Sequence, residues 1–245
     1  MRIDIGSICK AFVPLAALAM TASLSGCDST ITVDGTEGKK LSELDLTGEA
    51  PTKLVLAGPD HVKITEGAKL AITVEGDANV ADKLRFTLTG GTLGILRTKS
   101  WKTGGAVTVN VTMPAPQDVT LAGSGTIDAA QLGKDAKVTV AGSGEVHAGT
   151  ISGDSFELTV AGSGTIRGGG AIKNLDMTIA GSGNATITSD GDVSASIFGS
   201  GMVTVKGRAT CTVSSMGSGK LVCESGEPTR DDAPDAPDAD ESNAN

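Results

Sequence analysis

The sequence predicts an all-β fold, a β-solenoid of stacked coils about 19 residues long. The main observation is a Gly-Ser-Gly tripeptide that occurs six times at near-even spacing, beginning at Gly123, Gly142, Gly162, Gly181, Gly199 and Gly217. The segments that lead into these tripeptides alternate apolar and polar residues with a period of two, which is typical of half-buried strands. The chain contains 34 glycines, no tyrosine and one tryptophan, so an aromatic-rich globular core is excluded.

Residues 1–26 have the features of an export leader. Arg2 and Lys10 give a basic start, and an apolar stretch follows that is short for a permanent membrane helix. The leader ends in Leu24-Ser25-Gly26-Cys27 and resembles that of a bacterial lipoprotein. This resemblance implies that Cys27 is lipidated and anchors the protein to a membrane without spanning it. The alternative is an ordinary secretory leader, which would leave Cys27 as a free thiol.

The segments between the leader and residue 115 are less regular. Residues 27–50 are polar and are interpreted as a tether and entry segment, and residues 51–115 as degenerate β coils. Lys53–Ile64 fits the register of the later coils, with Pro59-Asp60 in place of the Ser-Gly corner. Further strands are predicted at 70–74, 85–89 and 107–113, with breaks at Gly90-Gly91 and Gly104-Gly105.

Residues 116–226 are predicted to form the regular repeats. When the coils are aligned on the first glycine of each tripeptide, apolar residues recur two, four and six positions before it and four and six after it. Each coil therefore offers two short strands with one inward face, joined by a glycine corner. One coil cannot bury enough apolar surface to offset the ordering of its backbone, so stability requires stacking.

The cysteines favour an exported protein. If Cys9 leaves with the leader and Cys27 carries lipid, Cys211 and Cys223 remain as one pair. These two residues occupy inward positions on either side of the last corner, and we expect a disulfide there. The alternative is two buried thiols that pack as small apolar side chains.

The end of the chain differs in composition. Residues 227–245 contain three prolines among acidic residues and alanines, and they are predicted to be a disordered acidic tail. The formal net charge of the whole chain is −9 at pH 7. This negative charge argues against nucleic acid as a partner.

The region from Leu54 to Cys223 resembles a known family, the auto-transporter adhesin head domain, also called the head GIN domain. The resemblance is carried by Leu56–Val62, by Thr89–Ile95, by Val111–Pro114 and by the repeated Ala-Gly-Ser-Gly corners. It implies a β-solenoid on an exported, often lipid-anchored bacterial protein. The family has no catalytic residues to transfer.

No catalytic constellation accompanies the repeats. The Gly-Ser-Gly corners lack the helix and Lys-Ser/Thr of a P-loop and are interpreted as turns, with their serines in one row. The sequence gives no signal that His61 and His147 converge on a metal site or a catalytic triad, and both are interpreted as surface residues. Glu145 and Asp128 lie at different positions of successive coils and need not share a face, which disfavours a glycan-cleaving carboxylate pair. We therefore expect no enzyme activity, no metal and no cofactor.

Trp101 is the one weak candidate for ligand binding. It is flanked by Lys99 and Lys102 in a predicted loop and could anchor a ligand or partner. The alternative is that it packs within its own loop.

Two non-catalytic hypotheses follow. The first is a protein lipid-anchored in the bacterial cell envelope that binds a surface glycan or protein through its Thr/Ser-rich coils. The second is a periplasmic structural or stress-related lipoprotein that self-associates through the ends of the solenoid; Asp28, directly after Cys27, resembles an inner-membrane retention signal and favours it. A glycan-active solenoid enzyme is a third, less favoured hypothesis.

Overall fold

The computed structural model describes residues 32–33, 36–98, 105–224 and 229–230. The predicted leader, Cys27 and Trp101 lie outside these residues. Nearly every element is a strand because small and β-branched side chains alternate with polar ones. In chain order the elements are β1 (Thr32–Val33), β2 (Thr36–Glu37), a 3₁₀ turn (Leu41–Glu43), β3 (Lys53–Ala57), β4 (His61–Glu66), β5 (Ala71–Glu75), α1 (Ala78–Ala81), β6 (Leu84–Thr89), β7 (Thr92–Arg97), β8 (Thr108–Met113), β9 (Asp118–Gly123), β10 (Thr126–Gln131), β11 (Lys137–Gly142), β12 (Glu145–Gly162), β13 (Thr165–Gly181), β14 (Asn184–Thr188), β15 (Asp192–Gly199), β16 (Met202–Lys206), β17 (Thr210–Gly217), β18 (Lys220–Cys223) and β19 (Thr229–Arg230).

The regular coils stack in parallel, and the predicted β-solenoid is confirmed. Strands that precede a corner form sheet 1, in which β11 pairs residue by residue with β9 on one side and with the second half of β12 on the other. Strands that follow a corner form sheet 2, in which β10 pairs with the first half of β12. Every Gly-Ser-Gly corner therefore lies directly above the corner of the preceding coil.

The corners need glycine at their first position for two reasons. Gly162 has a φ of +118°, a backbone conformation that side chains rarely allow. A Cβ atom on Gly162 would lie 2.5 Å from the carbonyl oxygen of Gly142 in the preceding coil. The tight stacking of successive corners thus leaves no room for any side chain.

The core is a narrow apolar column between the two sheets. The predicted inward positions are buried, with Phe156, Leu158 and Val160 each fully inaccessible to solvent. In the next coils Met177 and Ala195 occupy the position of Leu158 and are also buried. Adjacent coils thus change the size of the side chain at one position without breaking the column.

The N-terminal coils do not stack in chain order. The coil of β3 and β4 lies between that of β7 and β8 on one side and that of β9 and β10 on the other. Strand β7 lies between the strands predicted at 85–89 and 107–113 and was not itself predicted. Strand β6 pairs antiparallel with β7, and β5 pairs antiparallel with β8.

These antiparallel strands close the N-terminal end of the solenoid. Residues of the predicted tether also contribute, because Lys39 forms a β-bridge with Phe86, which is buried. Asp77 caps α1 by accepting hydrogen bonds from the backbone N–H groups of Asn79 and Val80. The segment from Lys39 onward is therefore part of the folded domain and not only a tether.

The C-terminal coil contains the expected disulfide. Cys211 and Cys223 are joined across the coil with their Cα atoms 6.4 Å apart. Within the range predicted as a disordered tail, Thr229 and Arg230 form β19, which pairs with Thr212 and Val213 of β17. The rest of the range predicted as a disordered tail lies outside the described residues. Among the described residues no helix is long and apolar enough to cross a membrane.

Candidate functional site

The outward face of sheet 2 carries two rows of side chains that meet across neighbouring coils. In one row Lys63, Asp128, His147 and Arg167 come from four successive coils. In the adjacent row His61, Thr126, Glu145 and Thr165 are aligned in the same way. The titratable members of the two rows are here called the charged ladder: His61, Lys63, Asp128, Glu145, His147 and Arg167.

The charged ladder is linked by close contacts between coils. His61 Nε2 lies 2.6 Å from Asp128 Oδ2, and His147 Nδ1 lies 2.9 Å from Asp128 Oδ1. The latter contact is not aligned as a hydrogen bond, and Asp128 Oδ1 is shielded from solvent without another partner. His147 Nε2 also lies 2.9 Å from Glu145 Oε1. One imidazole ring therefore bridges two carboxylates.

Arg167 completes the ladder on its other side. Its Nε donates a hydrogen bond of 3.0 Å to Glu145 Oε1. The hydrogen bonds from His147 and then Arg167 lower the pKa of Glu145 below its ordinary value of 4.5. Glu145 is thus held as a carboxylate, which suits an acceptor of hydrogen bonds and does not suit a general acid.

These contacts correct one expectation from the sequence and add to another. Glu145 and Asp128 do share a face. Positions three and five after a corner are two residues apart on a strand, so their side chains lie on the same side of the sheet. His61 and His147 are partly exposed, but they are not isolated, because both contact Asp128. The signal was present in the sequence: in the coil alignment, position five after the corner carries Asp128, His147 and Arg167 in three consecutive coils, and Glu145 lies at position three of the middle one.

A shallow depression of about 410 Å³ lies beside the ladder. It is open because the following positions of the strands carry small residues such as Ala130, Gly149 and Gly168. Charged side chains border it: Lys63, Asp128, His147 and Arg167. Hydrogen-bond donors and acceptors thus border the depression. This arrangement can bind a polar ligand through its hydroxyl or carboxylate oxygens.

Metal chemistry receives no geometric support in the part of the chain that the structure describes. No group of three or more His, Cys, Asp and Glu side chains there is arranged to hold a metal ion. Nitrogen atoms of the two histidines lie close to carboxylate oxygens, and these contacts account for the placement of both rings.

A family comparison identifies the domain. Residues 50–228 match the family model described as "Putative auto-transporter adhesin, head GIN domain". The chain belongs to this family. The match covers the whole stack from β3 to the C-terminal coil, so the charged ladder lies on a head GIN domain.

Solved structures from two other bacteria are similar to this head GIN domain. A crystal structure described as "a putative adhesin" from Bacteroides fragilis NCTC 9343 is 14% identical, with a TM-score of 0.53 over 74% of this chain and 92% of that chain. One described as a "Putative lipid binding protein" from Parabacteroides distasonis ATCC 8503 is 18% identical, with a TM-score of 0.49 over 74% and 93%. At 14% identity, the likeness to the first of these structures shows the fold alone. The chain matches no curated protein.

The other predicted site residues of the head GIN domain lie apart from the ladder. Cys211 is buried in the last coil, within the disulfide. The corner serines are exposed and form one row along the edge between the sheets: Ser124, Ser143, Ser163, Ser182, Ser200 and Ser218. The structure brings none of these residues to the depression.

The bridging role of His147 gives a pH-dependent prediction. We expect His147→Ala to raise the pKa of Glu145 toward 4.5, because the first of its two hydrogen-bond donors is removed. The measurement is the pH titration of the Glu145 side-chain carboxyl signal by NMR. Since a lowered folded-state pKa stabilises the fold above the unfolded pKa, this contribution is lost as pH falls through the lowered value.

The control for this prediction is His61→Ala, because His61 contacts Asp128 and not Glu145. That variant should leave the Glu145 titration unchanged. An unchanged Glu145 titration in His147→Ala would show that the His147 contact does not hold the carboxylate.

Proposed function

We propose that this protein is a lipid-anchored component of the bacterial cell envelope that binds a surface glycan or protein through its head GIN domain, without catalysis. The observation that carries the proposal is the charged ladder beside an open depression on a domain of an adhesin-type family. The ladder pairs its carboxylates with basic side chains. Its ionised Glu145 offers no general acid for glycan cleavage.

The anchoring part of the proposal rests on Leu24-Ser25-Gly26-Cys27. A lipidated Cys27 would tether the domain by its N-terminal side, since the chain enters the stack at β3. The acyl chains would hold the protein at a membrane surface. The solenoid would then present the outward face of sheet 2 to ligands along its length.

The chemistry of the depression favours a hydrophilic ligand. Lys63 and Arg167 can pair with carboxylate or sulfate groups, and Asp128 and Glu145 can accept hydrogen bonds from hydroxyl groups. None of the described residues that line the depression is a phenylalanine, tyrosine or tryptophan on which a sugar could stack. Recognition would therefore depend on charge and hydrogen bonds, and we expect it to weaken as salt increases.

The decisive experiment is protease accessibility on intact cells. We expect added protease to cut the wild-type protein, because an adhesin must reach its partner outside the cell. The Cys27→Ala variant should lose this surface exposure, since it cannot be lipidated. Immunoblotting of the cell-bound protein before and after protease gives the measurement.

Protection of the wild-type protein until the outer envelope is breached would contradict surface adhesion. It would favour the periplasmic alternative, which Asp28 after Cys27 supports.

A second experiment tests ligand binding directly: the purified protein is applied to a glycan array and is used in a pull-down from envelope extract. Replacing Lys63 and Arg167 together with Ala should abolish the signals. Lys220→Ala, on the same sheet but distant from the depression, is the matched control.

A further inference from the structure

The contacts of His147 suit the protonated form of its ring. The ring nitrogens Nδ1 and Nε2 each lie 2.9 Å from a carboxylate oxygen, the first from Asp128 and the second from Glu145. A neutral imidazole carries a single N–H, so one of these nitrogens would turn its lone pair toward a carboxylate oxygen. The imidazolium carries an N–H on both nitrogens and avoids this repulsion. The ladder therefore has a built-in place for a proton.

The imidazoles set the charge of the ladder near neutral pH. The side chains that face His147 come from β10, β12 and β13: Thr126, Asp128, Glu145, Thr165 and Arg167. Carboxylic acids ordinarily titrate near about pH 4 and arginine above about pH 12, whereas an imidazole changes its charge between about pH 5 and 8. Changes of pH in that range therefore act on this surface through His147 and through His61, which contacts the same Asp128.

Protonation changes the ladder from balanced to cationic. With both imidazoles neutral, the cations Lys63 and Arg167 are matched by two carboxylates, and the charges cancel. With both imidazoles protonated, four cations face the same two carboxylates. The whole chain has a formal net charge of −9, which repels an anionic ligand. A proton on the ladder therefore favours the binding of an anion beside it.

Two cationic side chains at the depression are placed to bind such an anion. Lys63 borders the depression and forms no ion pair or side-chain hydrogen bond with another described residue. Arg167 uses its Nε for Glu145, so its two terminal amino groups can hold a carboxylate by parallel hydrogen bonds. The strands of Lys63 and Arg167 are three steps apart in sheet 2, about 14 Å in all. A ligand that contacts both is longer than one sugar ring.

We propose that the charged ladder binds an acidic polysaccharide through its uronate carboxylates and takes up a proton from solvent when it does so. Lys63 and Arg167 pair with the carboxylates of the ligand. Asp128 and Glu145 accept hydrogen bonds from its hydroxyl groups, and protonated His147 supplies further positive charge. Binding is strongest in acid and weakens as the imidazoles lose their protons. This assignment rests on the proposed function, because it names the ligand of the same site.

The lining of the depression favours a glycan over a protein. Protein interfaces depend on large apolar or aromatic anchors that fill pockets on the partner. The described residues that line this depression are alanines, glycines, the buried Ile64 and the titratable members of the ladder, so no pocket for such an anchor is present among them. Sugar hydroxyls and carboxylates match the alternating acceptors and cations of the ladder.

The test is isothermal titration calorimetry between pH 5 and 8 with the full chain carrying Cys27→Ala. The probes are polygalacturonate, alginate and hyaluronan, whose carboxylates stay ionised in this range. We expect at least one to bind at pH 5 and to bind about tenfold or more weakly at pH 8, since an opposite charge within about 4–6 Å shifts a titration by about one to three pH units. Titrations in two buffers with different heats of ionisation should show net proton uptake. Methyl-esterified polygalacturonate, which lacks the charge, should not bind.

Single substitutions connect the effect to the ladder. His147→Gln keeps a polar side chain but cannot be protonated, so its binding at pH 5 should be nearly as weak as at pH 8. Lys63→Ala should weaken binding at both pH values. The matched control is Thr204→Gln, which places glutamine in the same row three coils further along and should change neither the affinity nor its pH dependence. Circular dichroism at pH 5 and 8 establishes that the variants are folded.

Three results would overturn the inference. The first is equal binding at pH 5 and 8, or a pH dependence that persists in His147→Gln. The second is equal binding of the methyl ester. The third is that none of the three polysaccharides binds at pH 5, whether or not polyglutamate, an acidic peptide, binds in their place. After any of these the proposed function still stands if the glycan array or the envelope pull-down yields a partner that the Lys63 and Arg167 double variant loses.

Discussion

Replacing Asp60 with alanine is expected to lower the free energy of unfolding by about 3–5 kcal/mol, because it leaves a buried cation without its partner. Asp60 and Arg97 form an ion pair in which both side chains are almost fully buried. Arg97 Nε donates to Asp60 Oδ2 at 2.6 Å, and the backbone N–H of Val107 donates to Asp60 Oδ1 at 3.0 Å. Chemical denaturation followed by circular dichroism gives the measurement.

The position of this pair explains why its loss should be large. Asp60 follows Pro59 in the atypical corner, and its carbonyl oxygen accepts a hydrogen bond from Thr126 in the next coil. Arg97 also donates to the carbonyl oxygen of Gly105. The pair thus joins the corner of one coil to the strand of another and to the segment that enters β8.

Two controls show whether the loss in the free energy of unfolding comes from the unpaired buried charge or from any broken ion pair. Glu157→Ala breaks an exposed ion pair with Lys137 and should cost within about 1 kcal/mol. The double variant Asp60→Ala with Arg97→Met removes both charges and should be more stable than Asp60→Ala alone. A loss below about 1 kcal/mol in Asp60→Ala would mean that Arg97 finds other partners or water.

The second large effect is expected at the corners. Gly162→Ala should destabilise the fold by about 2–6 kcal/mol, from backbone strain together with overpacking. The φ of +118° disfavours any side chain, and the new Cβ would press on the carbonyl oxygen of Gly142 at 2.5 Å. The shift in the urea midpoint, measured by circular dichroism, checks this prediction.

The matched control is Gly48→Ala, because a Cβ there would meet nothing within 4 Å and the backbone angle is ordinary. That variant should leave stability nearly unchanged. A Gly162→Ala protein as stable as Gly48→Ala would show that successive coils can separate locally at the corner without cost.

The sequence predicted the regular coils well because each position of the repeat has one physical role. Inward positions such as Val138 and Val140 must be apolar, and the first corner residue must be glycine. Residue types therefore recur at a fixed spacing, and this spacing can be recognised without a structure. The inward placement of Cys211 and Cys223 followed from the same alignment, and the disulfide is present.

The candidate site was harder to predict because its residues belong to different coils. His61 lies 67 residues from Asp128 in the chain, yet the two side chains are hydrogen-bonded. Their contact depends on β4 lying beside β10, and that neighbourhood arises because the coil of β7 and β8 inserts on the other side of β3 and β4. The local sequence pattern of β4 does not indicate which coil lies beside it.

The sequence by itself determined the coil length, the inward and outward faces, and the glycine corners, because these depend on the local period and on backbone sterics. The tertiary structure alone decided the spatial order of the N-terminal coils and the antiparallel strands that cover one end of the stack. It also decided which charges meet in the ladder. Backbone pairing between parallel strands is nearly independent of sequence, so the choice of neighbouring coil follows from the packing of the whole chain.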